Sequence, residues 1–424
     1  MSATDPDSFP PRTASYEADP AQVNRVLLLY SGGLDTSVML KWIQDRYDAE
    51  VVCLTVNLGQ PGEDYAVIED KALRLGALEC HVLDAREQFA REYLAPAIKA
   101  NALYGDYPLF TALGRPLIAK LAVDYARRTG CDTIAHGCTG KGNDQVRIEA
   151  TVATLGPELK VIAPVRSWQM GREEEIAFAR EHGIPIKGSH PPGAEVTPYS
   201  IDDNLWGRSS EGRWIEQLDH APEDDVFQLV TRPEQAPDEP ETVTIGFERG
   251  VPVALNGQPL GLVELIEAAA EIAARHGVGI IDHIEDRIVG LKVRDIYEAP
   301  AAALVLPAHR ELERLVGTIH QNQFKPGLDR QWAYLVYAGL WWEPLRVDLD
   351  AYMDSVNERV TGTVGLKLYK GHARVVTRES PNAVYDAALA SFAQSGGLFS
   401  QTASPGFIEL WSLQSRMAWR LRGE

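Results

Sequence analysis

Between Ser31 and Ser37 the chain reads SGGLDTS. Two glycines, three hydroxyls and one carboxylate follow an apolar run, RVLLLY, and precede an amphipathic one, VMLKWI. A strand that passes through a glycine-rich turn into a helix N-terminus makes an anion site. The glycines let the backbone approach, and unpaired N–H groups at the positive end of the helix dipole face the ligand. Ser31, Thr36 and Ser37 add hydroxyl donors, so a phosphate chain fits. A tight turn with a Ser/Thr cap is the plainer alternative, but a hydroxyl-Gly-Gly-x-Asp-hydroxyl-hydroxyl order between strand and helix is more demanding than a cap. No G-K-[ST] follows at the Walker spacing, and the dinucleotide fingerprint G-x-G-x-x-G is absent.

A second stretch of this kind, HGCTGKGNDQVR, runs from His136 to Arg147. It reads as a strand end, a glycine-rich turn and a helix capped near Asn143. Thr139 and Asn143 offer neutral polar contacts. Asp144 and Arg147 are three apart and share a helix face, which fits an ordinary i,i+3 ion pair as well as a ligand site.

The elements that must position these residues alternate. RVLLLYS, EVVCLTVNLG, ECHVLDA, DTIAHGC and KVIAPV read as short apolar strands. Between them lie helical patterns: Val38, Met39, Trp42 and Ile43; EDKALRLGA; a long stretch through Tyr104; RPLIAKLAVDYARRTG; and finally GREEEIAFAREHG. This order predicts an α/β domain with a parallel sheet covered on both faces. Ligands of such sheets bind beyond the carboxyl ends of the strands, where both glycine-rich stretches fall. The alternation stops near GSHPPGAEVTPYS, Gly188 to Ser200. After the Pro- and acid-rich TRPEQAPDEPE come a hairpin, VTIGFERGVPVALNG, and helices such as LVELIEAAAEIAARHG, the pattern of an α+β domain. FIELWSLQSRMAWRL places Leu410, Leu413, Met417 and Leu421 on one helical face, to pack on its own domain or on a neighbouring subunit.

The chain has 424 residues, 45% of them apolar, which suits two domains with sizeable cores. Its net charge is −19 with no basic run, which disfavours binding to a nucleic-acid backbone. Four cysteines without a C-x-x-C or Cys/His pattern suggest no zinc and a reducing compartment; Cys53 in VVCLTV reads as a buried thiol. No secretory signal or membrane span is expected, so the location expected is the cytoplasm. Residues 1–22, polar and Pro-rich, read as a flexible tail.

SGGLDTS resembles the pyrophosphate loop of the N-type ATP pyrophosphatases, which split ATP into AMP and pyrophosphate. With HGCTGKGNDQVR the resemblance narrows to the argininosuccinate synthase family. NLGQ, GRPLIAK, KVIAPVR, YSIDDNLWGRSSEG, RHGVG, RDIYEAPA and LKLYKG follow in that family's order, from about Arg25 to the end. The resemblance implies an adenine nucleotide α-hydrolase-like domain over 23–190, a synthetase domain over 191–403 and an oligomerisation helix over 404–424 of a homotetramer. It implies that ATP with Mg²⁺ activates citrulline as citrullyl-AMP and that aspartate then displaces AMP. No resident metal ligand is implied. By the same resemblance Leu29, Tyr30, Ser31, Gly32, Gly33, Leu34, Asp35, Thr36 and Ser37 hold ATP, with Val56 and Gly137 beside the adenosine. Thr139, Asn143 and Asp144 match the aspartate positions. Tyr107, Asn143, Arg147, Ser200, Ser209, Glu285 and Tyr297 match the citrulline positions.

Four residues depart from the family's usual pattern: Ala112 for a serine, which Thr111 would replace, and Asp286, Val293 and Asp295 for Asn, Ser and Gly. Lys292, Arg287 and Arg294 stand near enough in sequence to pair the added carboxylates. The alternatives that remain are a paralogue adenylating another ureido or carboxyl acceptor, a tRNA-modifying relative and a non-catalytic nucleotide sensor. The acidic charge and unpatterned thiols count against the tRNA reading, and the intact Thr139–Asp144 set against the sensor.

Overall fold

A computed structural model describes residues 12–168, 170–185, 199–390 and 399–423. The start of the expected tail and most of the Gly188–Ser200 stretch lie outside these residues.

Strands β1 (Arg25–Leu29), β2 (Glu50–Asn57), β3 (Glu79–Asp84), β4 (Thr133–Ala135) and β5 (Lys160–Ile162) pair in parallel, in the order β3-β2-β1-β4-β5. Side chains alternate across the pleat: Leu27 packs with Leu117 and Val152 on one face, while Val26 and Leu28 pack with Val38, Met39 and Ile43 on the other. The strand order reverses between β1 and β4, the switch point at which such sheets open a crevice. The covering helices are α1 (Leu34–Tyr47), α2 (Tyr65–Arg74), α3 (Arg86–Phe89), α4 (Ala95–Lys99), α5 (Phe110–Thr129), α6 (Asp144–Leu155), α7 (Pro164–Ser167) and α8 (Arg172–Glu181), with a π turn over Ala90–Leu94 joining α3 to α4.

Two helix bounds differ from the sequence reading. The stretch expected through Tyr104 ends at Lys99, because Asn101 takes a positive φ of 43°. α5 starts at Phe110, before Arg115, and carries Pro116 in its interior; the Tyr107 hydroxyl accepts the Thr111 N–H at 3.0 Å and anchors the early start.

From residue 12 the expected tail is docked on the sheet. Glu17 bridges Val161 of β5 in parallel, Val161 N–H donates to Tyr16 O at 2.9 Å, and Ala18 N–H donates to Val161 O at 3.0 Å. Ala18 and Val23 are buried. The segment covers the open edge of β5.

Beyond residue 199 the strands are β6 (Ser200–Asn204), β7 (Gly207–Glu211), β8 (Glu241–Glu248), β9 (Val251–Leu255), β10 (Gln258–Pro259), β11 (Ile280–Asp286), β12 (Lys292–Glu298), β13 (Gly362–Tyr369) and β14 (His372–Glu379). They form two sheets, β10-β9-β8-β13-β14 and β11-β12-β7-β6. The helices are α9 (Leu262–Arg275), α10 (Pro300–Val316), α11 (Ile319–Tyr337), α12 (Pro344–Asn357), α13 (Ala387–Ala390), α14 (Ser404–Trp411) and α15 (Leu413–Arg420). The hairpin read from VTIGFERGVPVALNG is β8–β9. The last helical pattern divides at Ser412 into α14 and α15, whose Leu410, Leu413, Met417 and Leu421 are exposed.

The β6–β7 hairpin tip joins the two halves. Asn204 Nδ2 donates to Phe110 O at 2.8 Å, buried Trp206 Nε1 to Pro108 O at 3.1 Å, and Leu205 N–H to Leu58 O at 2.8 Å. A Cβ at Gly207 would lie 2.9 Å from the Phe110 ring, so the approach requires glycine.

Behind the site, Lys325 of α11 is 1% exposed and pairs with Glu313 and Asp329, each at 2.7 Å. It also donates to Lys99 O at 2.9 Å, which ties α4, α10 and α11 together. Burial pushes the Asp329 carboxyl up to about 6, against the pull of Lys325. Removing the cation strands two buried carboxylates, so Lys325→Met is expected to cost about 3–5 kcal/mol at pH 7.5 in urea unfolding. The deficit should shrink toward pH 5, where the unpaired carboxyls take up protons; a pH-independent loss below 1 kcal/mol would contradict the pairing.

Candidate active site

At the carboxyl end of β1 the chain turns at Gly32, φ 78°. Gly33 then sits at the N-cap of α1 with no side chain capping the helix. The positive end of α1 is therefore left for a ligand, as an anion site requires. The expected Ser/Thr donors divide into two groups. Ser37 is fully buried; its hydroxyl donates to Gly33 O at 2.6 Å and lies 3.0 Å from the Tyr30 hydroxyl, so both shape the loop rather than face a ligand. Ser31 and Asp35 are exposed, and Ser31 Oγ lies 3.1 Å from Thr36 Oγ1. Leu34 is buried and Leu29 half-buried, so they contribute backbone and packing.

Buried Lys71 of α2 supports the turn, donating to Gly32 O at 2.7 Å; burial lowers its ammonium pKa. A Cβ at Gly32 would lie 2.7 Å from Ile68 Cγ1, so α2 packs on the loop only at glycine. β2 and β4 flank β1, which places Val56 and Gly137 on either side of this turn. Gly137 has the same constraint: an added Cβ would meet Met39 Cε at 2.7 Å.

The second glycine-rich loop leads from β4 to α6. His136 fixes its start: Nδ1 accepts the Cys138 N–H at 3.2 Å, and Nε2 faces Glu149 at 2.9 Å. Glu149 also pairs with Arg166 at 2.6 Å. Asn143 does not cap α6 with its side chain. Its amide turns to the second domain instead, Oδ1 accepting the Ile288 N–H at 3.0 Å and Nδ2 donating to the Tyr337 hydroxyl at 2.8 Å and to Glu285 at 3.4 Å.

Asp144 and Arg147 share a helix face as the spacing implied, paired at 2.7 Å. Asp144 holds a second cation, Arg115 of α5, at 2.8 Å, and Arg115 continues to Asp202 of β6. Burial raises the Asp144 carboxyl, but the two guanidinium groups outweigh it and hold it at about 2. Arg147 is 3% exposed; its Nε donates to Tyr337 O at 3.1 Å and its guanidinium lies 5.1 Å from the Tyr337 ring centre. Its remaining nitrogen, Nη2, is buried without a partner among the described residues.

The sheet β11-β12-β7-β6 supplies the opposite wall. Register sets Ser209 opposite both Tyr297 and Asp202, Ser200 opposite Glu211, and Glu285 opposite Val293. Alternation then puts Ser200, Ser209, Glu285, Asp295 and Tyr297 on one face. Glu285 accepts from Tyr337 at 2.6 Å and from Tyr297. Tyr107 packs its ring 4.6 Å from that of Tyr297, while its hydroxyl pairs with Thr111.

Asn143, Asp144, Arg147, Glu285, Tyr297 and Tyr107 thus converge. Ser209 joins them by register, whereas Thr139 and Ser200 are exposed and take no part in the described hydrogen bonds of this network. Ala112 is fully buried inside α5 and lines no opening, and the Thr111 hydroxyl is spent on Tyr107. Asp286 pairs with Lys292 at the surface, and Arg294 pairs with Asp282 at 2.6 Å. Sequence reasoning missed Lys71, Arg115 and Tyr337. The first two lie in or beside quoted stretches; Tyr337 has no local signal.

Two family models match this chain: the Arginosuccinate synthase N-terminal HUP domain over residues 25–185 and the Arginosuccinate synthase C-terminal domain over residues 199–418. The argininosuccinate synthase of Rubrobacter xylanophilus is 54% identical over 393 residues, 92% of this chain and 94% of that one. The enzyme of that name from Streptococcus suis is 49% identical, covering 93% of this chain and 97% of its own. That from Pyrococcus furiosus is 48% identical, covering 94% and 95%. Matches of this identity and coverage, across both halves of the chain, place it in the argininosuccinate synthase family.

Proposed function

We propose that this protein is a ligase that joins L-citrulline and L-aspartate at the expense of ATP, giving argininosuccinate, AMP and pyrophosphate in arginine biosynthesis. The observation that carries the reading is the unpartnered Nη2 of Arg147, buried one helix turn from Asp144 and beside Glu285, on the loop and helix that leave the phosphate crevice. A buried guanidinium with a bare N–H calls for an anionic or carbonyl oxygen, and Glu285 with its two tyrosines suits an ammonium group. A zwitterionic amino acid meets both.

In this reading the phosphates of ATP lie on the open N-terminus of α1, with Ser31 and Thr36 beside them and the adenosine between Val56 and Gly137. The ureido oxygen of citrulline attacks the α-phosphorus, and pyrophosphate leaves toward the loop. The neutral amine of aspartate, bound near Thr139, Asn143 and Asp144, then attacks the activated carbon, and AMP departs. Asp144, ionised through its two arginines, keeps the helix face rigid. The site supplies positioning and charge stabilisation; no side chain forms a covalent intermediate. In this reading Mg²⁺ enters with the ATP phosphates rather than on a resident set of protein ligands.

The division into residues 23–190, 191–403 and 404–424 belongs to the same proposal, as do a homotetramer and a cytoplasmic location. Exposed Phe407, Leu410 and Trp411 on α14 and Met417 on α15, with Leu421 just beyond it, support an oligomer contact. Among the described residues no helix is long and apolar enough to cross a membrane.

Phosphorus NMR of the protein with ATP, Mg²⁺, citrulline and aspartate tests the reading. AMP and pyrophosphate should accumulate with argininosuccinate only when all components are present; turnover with citrulline replaced by another acceptor, and none with citrulline, would overturn it. Gly32→Ala forces a Cβ into Ile68 at a positive φ, so KM for ATP should rise at least about tenfold, the equivalent of 1–2 kcal/mol of left-handed strain. Arg147→Lys removes the bare Nη2 and the planar fork; KM for citrulline should rise about 10–100-fold with KM for ATP little changed.

A further inference from the structure

Asp295 shares the site's wall with Glu285 and Tyr297. It stands on β12, two residues before Tyr297 and on the same face, and is 4% exposed. Its Oδ2 lies 3.2 Å from the Tyr297 hydroxyl and 3.6 Å from Arg287 Nη2. Its Oδ1 is buried with no partner among the described residues.

The protons around it can be counted. Tyr297 has a single hydroxyl proton, and Glu285 takes it in the shorter of the two carboxylate contacts. Glu285 is a pure acceptor here, since Tyr337 and Asn143 also donate to it. The contact between Tyr297 and Asp295 then sets lone pair against lone pair unless Asp295 brings the proton itself.

The surrounding charges point the same way. Glu285 on β11 and Glu211 on β7 both face Asp295, and the nearby cation, Arg287, is committed to Glu211 at 2.5 Å. His283 of β11 is the register partner of Asp295, and its ring lies 5.9 Å from that of Tyr297. Tyr107 packs on Tyr297 from the α5 side, and Arg147 of α6 faces Glu285. An ionised carboxylate would stand here with one oxygen bare and two carboxylates for neighbours. A neutral acid leaves only a carbonyl oxygen unmatched, a far smaller penalty. Burial first, then Glu211, push the Asp295 carboxyl up to about 7 despite Arg287.

We propose that Asp295 is a positioning residue that works as a neutral acid, donating its carboxyl proton to Tyr297 and thereby committing the Tyr297 proton to Glu285, the carboxylate that receives the substrate's ammonium group. This rests on the assignment of Glu285 and Tyr297 to citrulline. Asp295 then sets the pH range over which citrulline binds well. When it ionises, Tyr297 loses its donor and a third negative charge enters the wall.

The test compares wild type with Asp295→Asn, whose amide donates to Tyr297 at every pH, in two readouts. The first is the melting temperature of the ligand-free protein from pH 4.5 to 8.5. A carboxyl whose folded pKa is raised costs stability as pH climbs from its unfolded value of about 4 toward 7. Wild type should therefore lose ground against the variant across that window and run parallel above it. The second is KM for citrulline, which should rise about 5–10-fold between pH 6 and 8.5 in wild type beyond any change in the variant, the equivalent of one lost hydrogen bond, with kcat and KM for ATP moving together in both. Superimposable melting profiles would overturn the neutral acid. Divergent melting with identical citrulline profiles would overturn the positioning role alone. If neither protein turns over citrulline, the functional reading fails and the positioning role with it, while the melting profiles still decide the protonation of Asp295.

Discussion

The site depends on a single half-buried carboxylate. Asp144 accepts from Arg147 on its own helix and from Arg115 on α5, and Arg115 reaches on to Asp202 at the opposite sheet. This alternating chain of charges crosses the boundary between the parallel-sheet domain and the β11-β12-β7-β6 wall. Each charge is partly or wholly withdrawn from water, and each is stable there only because its neighbour carries the opposite sign. The chain also orients Arg147: with Nη1 on Asp144 and Nε on the Tyr337 carbonyl, the plane of the guanidinium is set and the direction of its bare nitrogen with it. In the function proposed, substrate recognition is thus built from a framework contact rather than added to it.

The phosphate side has a different constraint, steric rather than electrostatic. Gly32 and Gly137 each lie where a methyl group would strike an apolar side chain of a covering helix. The helices consequently approach the switch point more closely than any side-chain-bearing loop would permit. Ser37 and Lys71 fill in behind, using their polar groups on the loop's own carbonyls, and the Tyr30 hydroxyl pairs with that of Ser37. What remains facing outward is backbone, the hydroxyls of Ser31 and Thr36, and the exposed Asp35.

How legible this was depended on whether a residue's partners were local. β2 was plain in the sequence because a strand buried on both faces is an unbroken apolar run, here VVCLTV. β6 and β7, SIDDN and GRSSE, carry little apolar periodicity because one face lines a polar site; only their motif marked them. α5 was entered too late because Pro116 resembles a first-turn proline, and the hydroxyl of Tyr107 that starts the helix earlier has no local signature. Asn143 looked like a cap because its natural local use is capping; the N–H of Ile288, 145 residues away, takes the Oδ1 that a cap would offer to the adjacent N–H groups. The glycine-rich loops could be found from sequence, whereas the residues that lock them required the fold.

The docked N-terminal segment has a consequence for how the chain is made. Tyr16, Glu17 and Ala18 pair with Val161, at the far edge of the sheet. These residues precede β5 in the chain and can therefore dock only after that strand has been synthesised and seated on β4. When they close, they cover the edge of β5 and seal a strand ladder that would otherwise be open to a neighbour still folding on the same message.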